Sequence, residues 1–200
     1  MEKDPDLIAR LYPAHTHGPE YDVVVNHPWA SQEPCDYDST EEPLWPADGG
    51  LPFIELRFSH LTRGSSGFVF GRDKKTCDIV LSNLSAISRN HFALTFRNTF
   101  HDGRYRLVVR DLGSSHGTEV KYDGRSDGPQ SNFDWVVSGT SVSAAALRLI
   151  IQPQKWFSFR LVVAYHDKES PAYIANVEKF CKGAVSTENV PGSYIPGMRL

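Results

Sequence analysis

Three short polar segments in the middle of the chain carry the side chains whose types and spacing could do chemistry. They are "GRDKKTCD" (Gly71 to Asp78), "SNLSAISRNH" (Ser82 to His91) and "DLGSSHGT" (Asp111 to Thr118). Together they supply arginine, lysine, serine, asparagine and histidine side chains, all of which can donate hydrogen bonds. No carboxylate stands at the centre of this set to act as a general base. The set therefore indicates binding of an anion rather than turnover of a substrate.

A phosphate monoester is the anion that best suits these donors. It offers three acceptor oxygens and carries close to two negative charges at neutral pH. An arginine beside a glycine, as in Gly71-Arg72, can present its planar fork to the phosphate, while serine hydroxyls and loop amides fill the remaining lone pairs. The alternative for Ser88 and Asn90 is a turn in which polar side chains bond their own backbone.

The sequence around these segments has the pattern of β-strands. Short apolar or alternating runs are bounded by clusters of Gly, Asn, Asp or Ser. They lie at 52–58, 67–71, 77–81, 91–96, 105–112, 133–137, 147–152 and 157–165, with a further candidate in "GTEVKYDG". This spacing predicts an all-β fold, a two-sheet, largely antiparallel β-sandwich. In such a sandwich, loops that are distant in sequence meet at one end, so the three polar segments are expected to lie together.

The two ends of the chain have different patterns. Residues 1–50 are rich in proline, acid and histidine, which predicts a flexible acidic arm with order beginning near Leu51. The folded domain is expected at residues 51–166. Residues 167–200 are expected to form an extension with a short helix, in which Ser170 is the N-cap, Pro171 lies in the first turn and Gly183 is the C-cap.

The composition of the chain excludes several classes of protein. The 200 residues, 40% hydrophobic and 12% aromatic, suffice for one folded domain with tails. A net charge of −3 argues against a nucleic-acid or membrane binder, so any anion site must be local. The three cysteines have no paired spacing and fit a reducing compartment. Because there is also no secretory signal pattern and no apolar run of about 20 residues, an intracellular protein is expected.

Catalytic signatures are weak. Ser115 beside His116 suggests a hydrolase, but neighbouring residues rarely place a hydroxyl on the imidazole nitrogen, and neither a G-x-S-x-G elbow nor an orienting acid occurs. Protein-kinase signatures are absent from the sequence. The remaining histidines are scattered without metal-ligand spacing. We therefore expect no enzymatic activity, no metal and no cofactor.

The motifs taken together resemble a known family. Gly71-Arg72, "DIVL", Ser88-Arg89-x-His91 and "DLGSSHGT" follow one another in the order and spacing of the forkhead-associated (FHA) domain, over roughly residues 51–166. The resemblance implies an FHA/SMAD-like sandwich that binds phosphothreonine peptides through loops at one end. It also implies that Arg72 and Ser88 contact the phosphate.

The same resemblance assigns roles to three further residues. Ser115 would add a hydroxyl or amide contact, and Arg89 would touch the phosphate or the flank of the peptide. His116 departs from the asparagine that in the family bonds the peptide backbone. An imidazole can still donate one hydrogen bond, but its reach and pH dependence differ.

Other residues of the motifs are expected to shape the site rather than touch a ligand. His91 opens an apolar run, so we expect a buried histidine that holds the loop through hydrogen bonds. Gly71 and Gly117 are expected to serve backbone angles or close approach, and Thr118 to anchor its loop. For Arg72 the competing interpretation is a surface arginine paired with a nearby aspartate.

The sequence thus predicts a phosphothreonine-dependent recognition module for protein–protein interaction in signalling, in the nucleus or the cytoplasm. It could be the N-terminal regulatory part of a larger protein such as a kinase. The alternative is a scaffold that binds its partner through a sheet face without phosphate. A further hypothesis concerns Thr40 in "DYDSTEEP", which, once phosphorylated, would occupy the site in cis or bridge two chains, so that the protein self-associates through its arm.

Overall fold

The computed structural model describes residues 4–32, 52–64, 66–81, 85–98, 103–138, 149–183 and 193–194. Within these residues the chain forms twelve strands and two helices. The strands are β1 Leu7–Pro13, β2 Ala30–Gln32, β3 Pro52–Arg57, β4 Phe68–Gly71, β5 Ile79–Val80, β6 Phe92–Arg97, β7 Arg106–Asp111, β8 Glu119–Tyr122, β9 Asp134–Val136, β10 Leu149–Gln154, β11 Phe157–Val163 and β12 Ser193–Tyr194. The helices are α1 Pro19–Val25 and α2 Pro171–Gly183.

The strands form two six-stranded sheets. One has the order β2-β3-β1-β11-β10-β8 and the other the order β12-β9-β7-β6-β4-β5. All neighbours are antiparallel except β4 with β5 and β9 with β12. The predicted all-β, largely antiparallel sandwich is therefore confirmed.

The core lies between the sheets because alternate side chains of each strand point inward. Phe157, Phe159 and Leu161 of β11 are each at most 1% exposed. From the opposite sheet, the rings of Phe70 and Phe92 stack with their centroids 4.4 Å apart. Burying an aromatic or branched side chain of this size contributes about 1.5–3 kcal/mol, so these rows supply much of the stabilisation.

The prediction of a flexible arm over residues 1–50 is wrong for residues 4–32. β1 lies inside its sheet, where it pairs with β11 on one side and β3 on the other. Its side chains Ile8, Ala9 and Leu11 are at most 2% exposed and belong to the hydrophobic core, and the burial of the consecutive Ile8 and Ala9 coincides with a bulge in the pairing with β3. Residues 33–50, which include Thr40, lie outside the described residues.

The predicted C-terminal helix is confirmed as α2. The backbone N–H of Ile174 donates to the Ser170 carbonyl, which is the bond expected of a residue that caps the helix N-terminus. Val177 and Phe180 face the sandwich, and the Phe180 ring lies 5.2 Å from that of Phe68. Neither helix among the described residues is long and apolar enough to cross a membrane.

The register of three strands brings the predicted loops together. Phe92 at the start of β6 is paired with Phe70 near the end of β4 and with Asp111 at the end of β7. The loops that leave β4 and β7 and the loop that enters β6 therefore share one end of the sandwich. We call this end the loop end.

Candidate functional site

The loop after β4 lies directly against the loop before β6. The Arg72 N–H donates to the Ser88 carbonyl at 3.1 Å, and the Asp73 N–H donates to the Arg89 carbonyl at 3.2 Å. A Cβ atom on Gly71 would lie 2.1 Å from that Arg89 oxygen, closer than any real contact, so only glycine allows this approach. The expected structural role of Gly71 thus has a specific cause.

The Arg72 side chain is exposed to solvent. Within the described residues it has no hydrogen-bond or ion-pair partner. The predicted alternative, a pair with Asp73 or Asp78, is not formed. The Asp73 carboxylate accepts the Lys75 N–H at 2.9 Å, and the Asp78 carboxylate accepts the backbone N–H groups of Arg63 and Val69 at 2.7 and 2.8 Å. The guanidinium of Arg72 is available to an incoming anion.

Ser88 and Ser115 meet across two loops. The Ser88 Oγ accepts the Ser115 N–H at 3.1 Å and lies 3.2 Å from the Ser115 Oγ. Ser88 is half-buried and Ser115 is exposed. Two hydroxyl groups therefore stand side by side at the surface, as the three-loop interpretation requires.

His91 holds these loops from beneath. It is fully buried, and its Nδ1 accepts the Ser88 N–H at 3.1 Å while its Nε2 lies 3.3 Å from the Gly117 carbonyl. Burial lowers the pKa of His91, so the imidazole is neutral. Because Nδ1 accepts, the single proton sits on Nε2 and is donated to Gly117. The expected role of His91 as a buried loop anchor agrees with this geometry.

Asp111 organises the loop that follows β7. One carboxylate oxygen accepts the backbone N–H groups of Gly113, Ser114 and Asn132 at 2.9–3.0 Å. The other accepts the hydroxyl groups of Ser114 at 2.6 Å and Thr118 at 2.7 Å. Sequence reasoning missed this role, although an aspartate followed two residues later by glycine is a known turn signal.

The far side of the same loop is fixed by a backbone pair. Thr118 and Gln130 exchange N–H···O bonds of 3.0 and 2.9 Å. Gly117 has φ +74°, and a Cβ atom there would meet the Gln130 backbone at 2.9 Å. The expectation that Gly117 and Thr118 are structural fits these contacts.

Cys77 is a second support that sequence reasoning missed. Its thiol is buried and donates to the Arg89 carbonyl at 3.0 Å. Burial raises the pKa of this thiol, which keeps it protonated and able to donate. The Arg89 carbonyl therefore receives two donors, and the backbone on which the exposed Arg89 side chain stands is firmly held.

The charges around the site are unbalanced in favour of the positive sign. Arg72, Lys74, Lys75 and Arg89 are exposed, and Asp73 is half-buried. A groove of about 370 Å³ lies in this region, and its lining includes Asp73, Ser88, Arg89 and Gly113. The exposed His116 belongs to the same loop end. Cationic side chains combined with hydroxyl donors favour binding of a doubly charged anion at this place.

The structure thus brings together the residues predicted to bind an anion. Arg72, Ser88, Arg89, Ser115 and His116 all stand at the loop end. No group of three or more histidine, cysteine or acidic residues in the described ranges is arranged to hold a metal ion. The geometry can bind and orient an anion.

Comparisons with known proteins give a match to one family model and similarity to solved structures. Residues 68–126 match the family model of the FHA domain. No curated protein matches the chain significantly. Among solved structures, the crystal structure of the MEK1 FHA domain is 20% identical to this chain. The aligned region covers 56% of this chain and 77% of the MEK1 domain, and the TM-score is 0.36. The crystal structure of the MEK1 FHA domain in complex with a phosphothreonine peptide of HOP1 is 18% identical to this chain. The aligned region covers 56% of this chain and 87% of that structure's chain, with a TM-score of 0.35.

Proposed function

We propose that this chain, which contains an FHA domain matched at residues 68–126, is a phosphothreonine-dependent protein-recognition module. The observation that carries the proposal is the position of Arg72: its side chain is exposed and has no partner among the described residues, and its backbone N–H donates to the Ser88 carbonyl, next to the Ser88 and Ser115 hydroxyl groups that lie 3.2 Å apart. The segment acts by binding alone and has no catalytic role of its own.

The phosphate of the ligand binds at the three-loop junction. Arg72 presents its fork to two phosphate oxygens in charge-assisted hydrogen bonds. The hydroxyl groups of Ser88 and Ser115 lie 3.2 Å apart, close enough to reach a single phosphate together. Their supports are already in place in the free protein, since His91 and Asp111 hold both loops. Such preorganisation lowers the entropy cost of binding.

The remaining site residues read the peptide around the phosphate. Arg89 stands on a backbone fixed by Asp73 and Cys77, from where its side chain can reach the phosphate or the flank of the peptide. His116 offers one ring N–H to the peptide backbone, where the family has an asparagine amide. The orientation of the bound peptide depends on this single bond.

In the cell the module docks a phosphorylated partner after a kinase has acted, in the nucleus or the cytoplasm. Regulation of a larger protein, such as a kinase, is one setting for it. Self-association is another: phosphorylated Thr40 would enter the site of the same chain or of a second chain. Phosphorylating residue 40 and finding unchanged peptide affinity and unchanged oligomer size would dismiss self-association.

The test of the central proposal is calorimetric titration with one phosphothreonine peptide. Arg72→Ala should weaken binding about tenfold or more, since a charge-assisted bond contributes about 1.5–3 kcal/mol. The stability of the variant should change by only about 0.5 kcal/mol, because the side chain is exposed. The matched control is Arg125→Ala, an exposed arginine in the turn after β8, away from the loop end.

Ligand variants make the test more specific. The plain peptide and its glutamate version should fail to bind, because a carboxylate has one charge and two planar oxygens where the site accepts nearly two charges on tetrahedral oxygens. The phosphoserine version should bind more weakly if the threonine methyl is also held. Equal affinity for phosphorylated and plain peptide would instead favour a phosphate-independent scaffold. Wild-type affinity in a normally melting Arg72→Ala variant would show that the site is wrong.

A further inference from the structure

A second, larger groove lies on the other side of the loop that leaves β4. Its volume is about 620 Å³. Its walls come from α1, from the segment before β2, from the turn after β3 and from the edge strand β5. Val23, Trp29, Leu61 and Val80 make much of the surface apolar. We call it the α1 groove.

The apolar surface of the α1 groove is exposed, and one of its aromatic rings is held in place by its neighbours. The Leu61 side chain is 92% exposed, which is unusual for a leucine beside a concave surface. The Trp29 ring is stacked on His60 with centroids 4.1 Å apart, and it contacts His27 and Phe68 edge-on at 5.0 and 5.8 Å. An aromatic ring fixed from three sides can receive an apolar side chain with little loss of its own freedom.

The α1 groove is continuous with the phosphate loop. Residues 72–78 leave Arg72 at the loop end and finish at Asp78, which lines the groove. The Arg63 side chain, also in the lining, donates to the Lys74 carbonyl of that loop, and its backbone N–H donates to Asp78 at 2.7 Å. One short loop therefore forms the edge of both concave surfaces, and an extended ligand held at Arg72 can cross it.

We propose that the α1 groove binds the segment of the phosphorylated partner that flanks the phosphothreonine, through an apolar side chain placed on Leu61 and Trp29. The inference rests on the proposed function, because the phosphate is what brings the segment to the groove. Apolar contacts in a preformed pocket carry a large share of the energy in small interfaces. Binding then depends on phosphorylation through the phosphate, and the groove selects among phosphorylated proteins.

The test uses an oriented peptide library with a fixed phosphothreonine and ten randomised positions on either side. The wild-type chain should retain peptides with an apolar residue at one flanking position. For a peptide chosen from that pool, Leu61→Asp should weaken binding about tenfold, and so should serine at the apolar position of the peptide. Leu61→Asp combined with the serine peptide should reduce affinity little more than either change alone, because both changes remove the same contact.

Two controls separate the groove from the phosphate site. Leu61→Asp should melt as the wild type does and should still require the phosphate, because Leu61 is exposed and lies outside the three loops. Ile174→Asp on α2, 41% exposed, should leave affinity and library selection unchanged.

Each contrary result has a distinct meaning. If phosphothreonine peptides bind but show no apolar preference, or if Leu61→Asp keeps the wild-type selection, the groove inference is wrong and the proposed function stands. If no phosphothreonine peptide is retained, both fail. Concentration-dependent dimerisation of the wild type that Leu61→Asp abolishes would assign the groove to a second copy of the chain and overturn the inference.

Discussion

At the scale of single residues, the His91 side chain links two loops of the site. Replacing it with alanine leaves the Ser88 N–H and the Gly117 carbonyl without their partner in a buried setting. Each unsatisfied group costs about 1–3 kcal/mol, and the cavity adds to this, so we expect His91→Ala to lose about 3–4 kcal/mol of stability. Urea unfolding measures this loss. A change below about 1 kcal/mol would contradict the anchoring role.

His91 also gives stability a pH dependence of known sign. Its pKa is lowered in the folded protein, so below the ordinary value of 6.5 the unfolded chain takes up a proton that the folded chain does not. The contribution of neutral His91 to the free energy of unfolding is therefore complete above pH 6.5 and is lost as the pH falls below this value. His27 and His60 act in the same direction, whereas Asp78 and Asp134, whose pKa values burial raises, act in the opposite one.

The measurement compares two proteins so that these other groups cancel. The free energy of unfolding is determined at pH 7.5 and pH 5.5 for the wild type and for His91→Asn. The decrease on acidification should be larger for the wild type, because only it can protonate His91 on unfolding. Equal decreases would show that His91 keeps its ordinary pKa when folded.

The residues before Ser88 define a prediction about peptide choice. The resemblance to the FHA family implies that the position three residues after the phosphothreonine contacts the loop that here contains Ala86 and Ile87. The Ile87 side chain is buried, 1% exposed, and Ala86 carries no charge. We therefore expect an apolar or relaxed choice at that position in a phosphopeptide library. A pool dominated by aspartate there would contradict the prediction.

The loop after β7 is the element on which the site depends most. Removing the Asp111 carboxylate would unmake five hydrogen bonds at once, two of them to hydroxyl groups. We expect Asp111→Ala to cost about 3–4 kcal/mol in urea unfolding. Phosphopeptide affinity should fall with it, since Ser115 loses its position. The exposed Asp127 provides a matched control, and Asp127→Ala should leave both quantities unchanged.

The strands that the sequence predicted share one property. From β3 to β11, apolar or alternating runs are short and are separated by turn residues, so a local pattern suffices to find them. β1 has such a run in Leu7 to Tyr12, but proline and acid dominate the surrounding 50 residues. Its partners β3 and β11 are about 45 and 150 residues away, and only tertiary pairing places it at the centre of a sheet.

Part of the candidate site could also be predicted from local sequence patterns. Motif spacing located Arg72, Ser88 and Ser115, because loops at one end of a sandwich must meet. The supports Asp111 and Cys77 could not be assigned, since their partners are set by loop conformation rather than by sequence neighbours. The α1 groove depends on α1 and on the segment before β2, which the sequence had assigned to a flexible arm.

At the scale of the whole molecule, the correction to the N-terminus predicts what truncation does. A chain covering only residues 52–183 lacks β1, which pairs with both β3 and β11, and exposes their unpaired edges. It also loses the buried side chains of Ile8, Ala9 and Leu11. We expect this chain to aggregate or to show no cooperative thermal transition.

The control for truncation is a chain that begins at Asp4 and ends at the same residue. It retains β1 and the Asp4 carboxylate that accepts the Arg57 guanidinium at 2.7 Å. It should melt within a few degrees of the full-length protein. A soluble 52–183 chain with a comparable melting temperature would show that β1 is dispensable.

The buried thiol of Cys77 makes the phosphate loops observable in time. Because it is fully covered and bonded to the Arg89 carbonyl, an alkylating reagent can reach it only when the loops separate. In a Cys35→Ser, Cys181→Ser background, the rate of labelling at Cys77 reports how often the site opens. A phosphothreonine peptide that bridges the same loops should slow labelling in proportion to its occupancy. Cys77 is thus a native labelling site that reports the opening of the binding site.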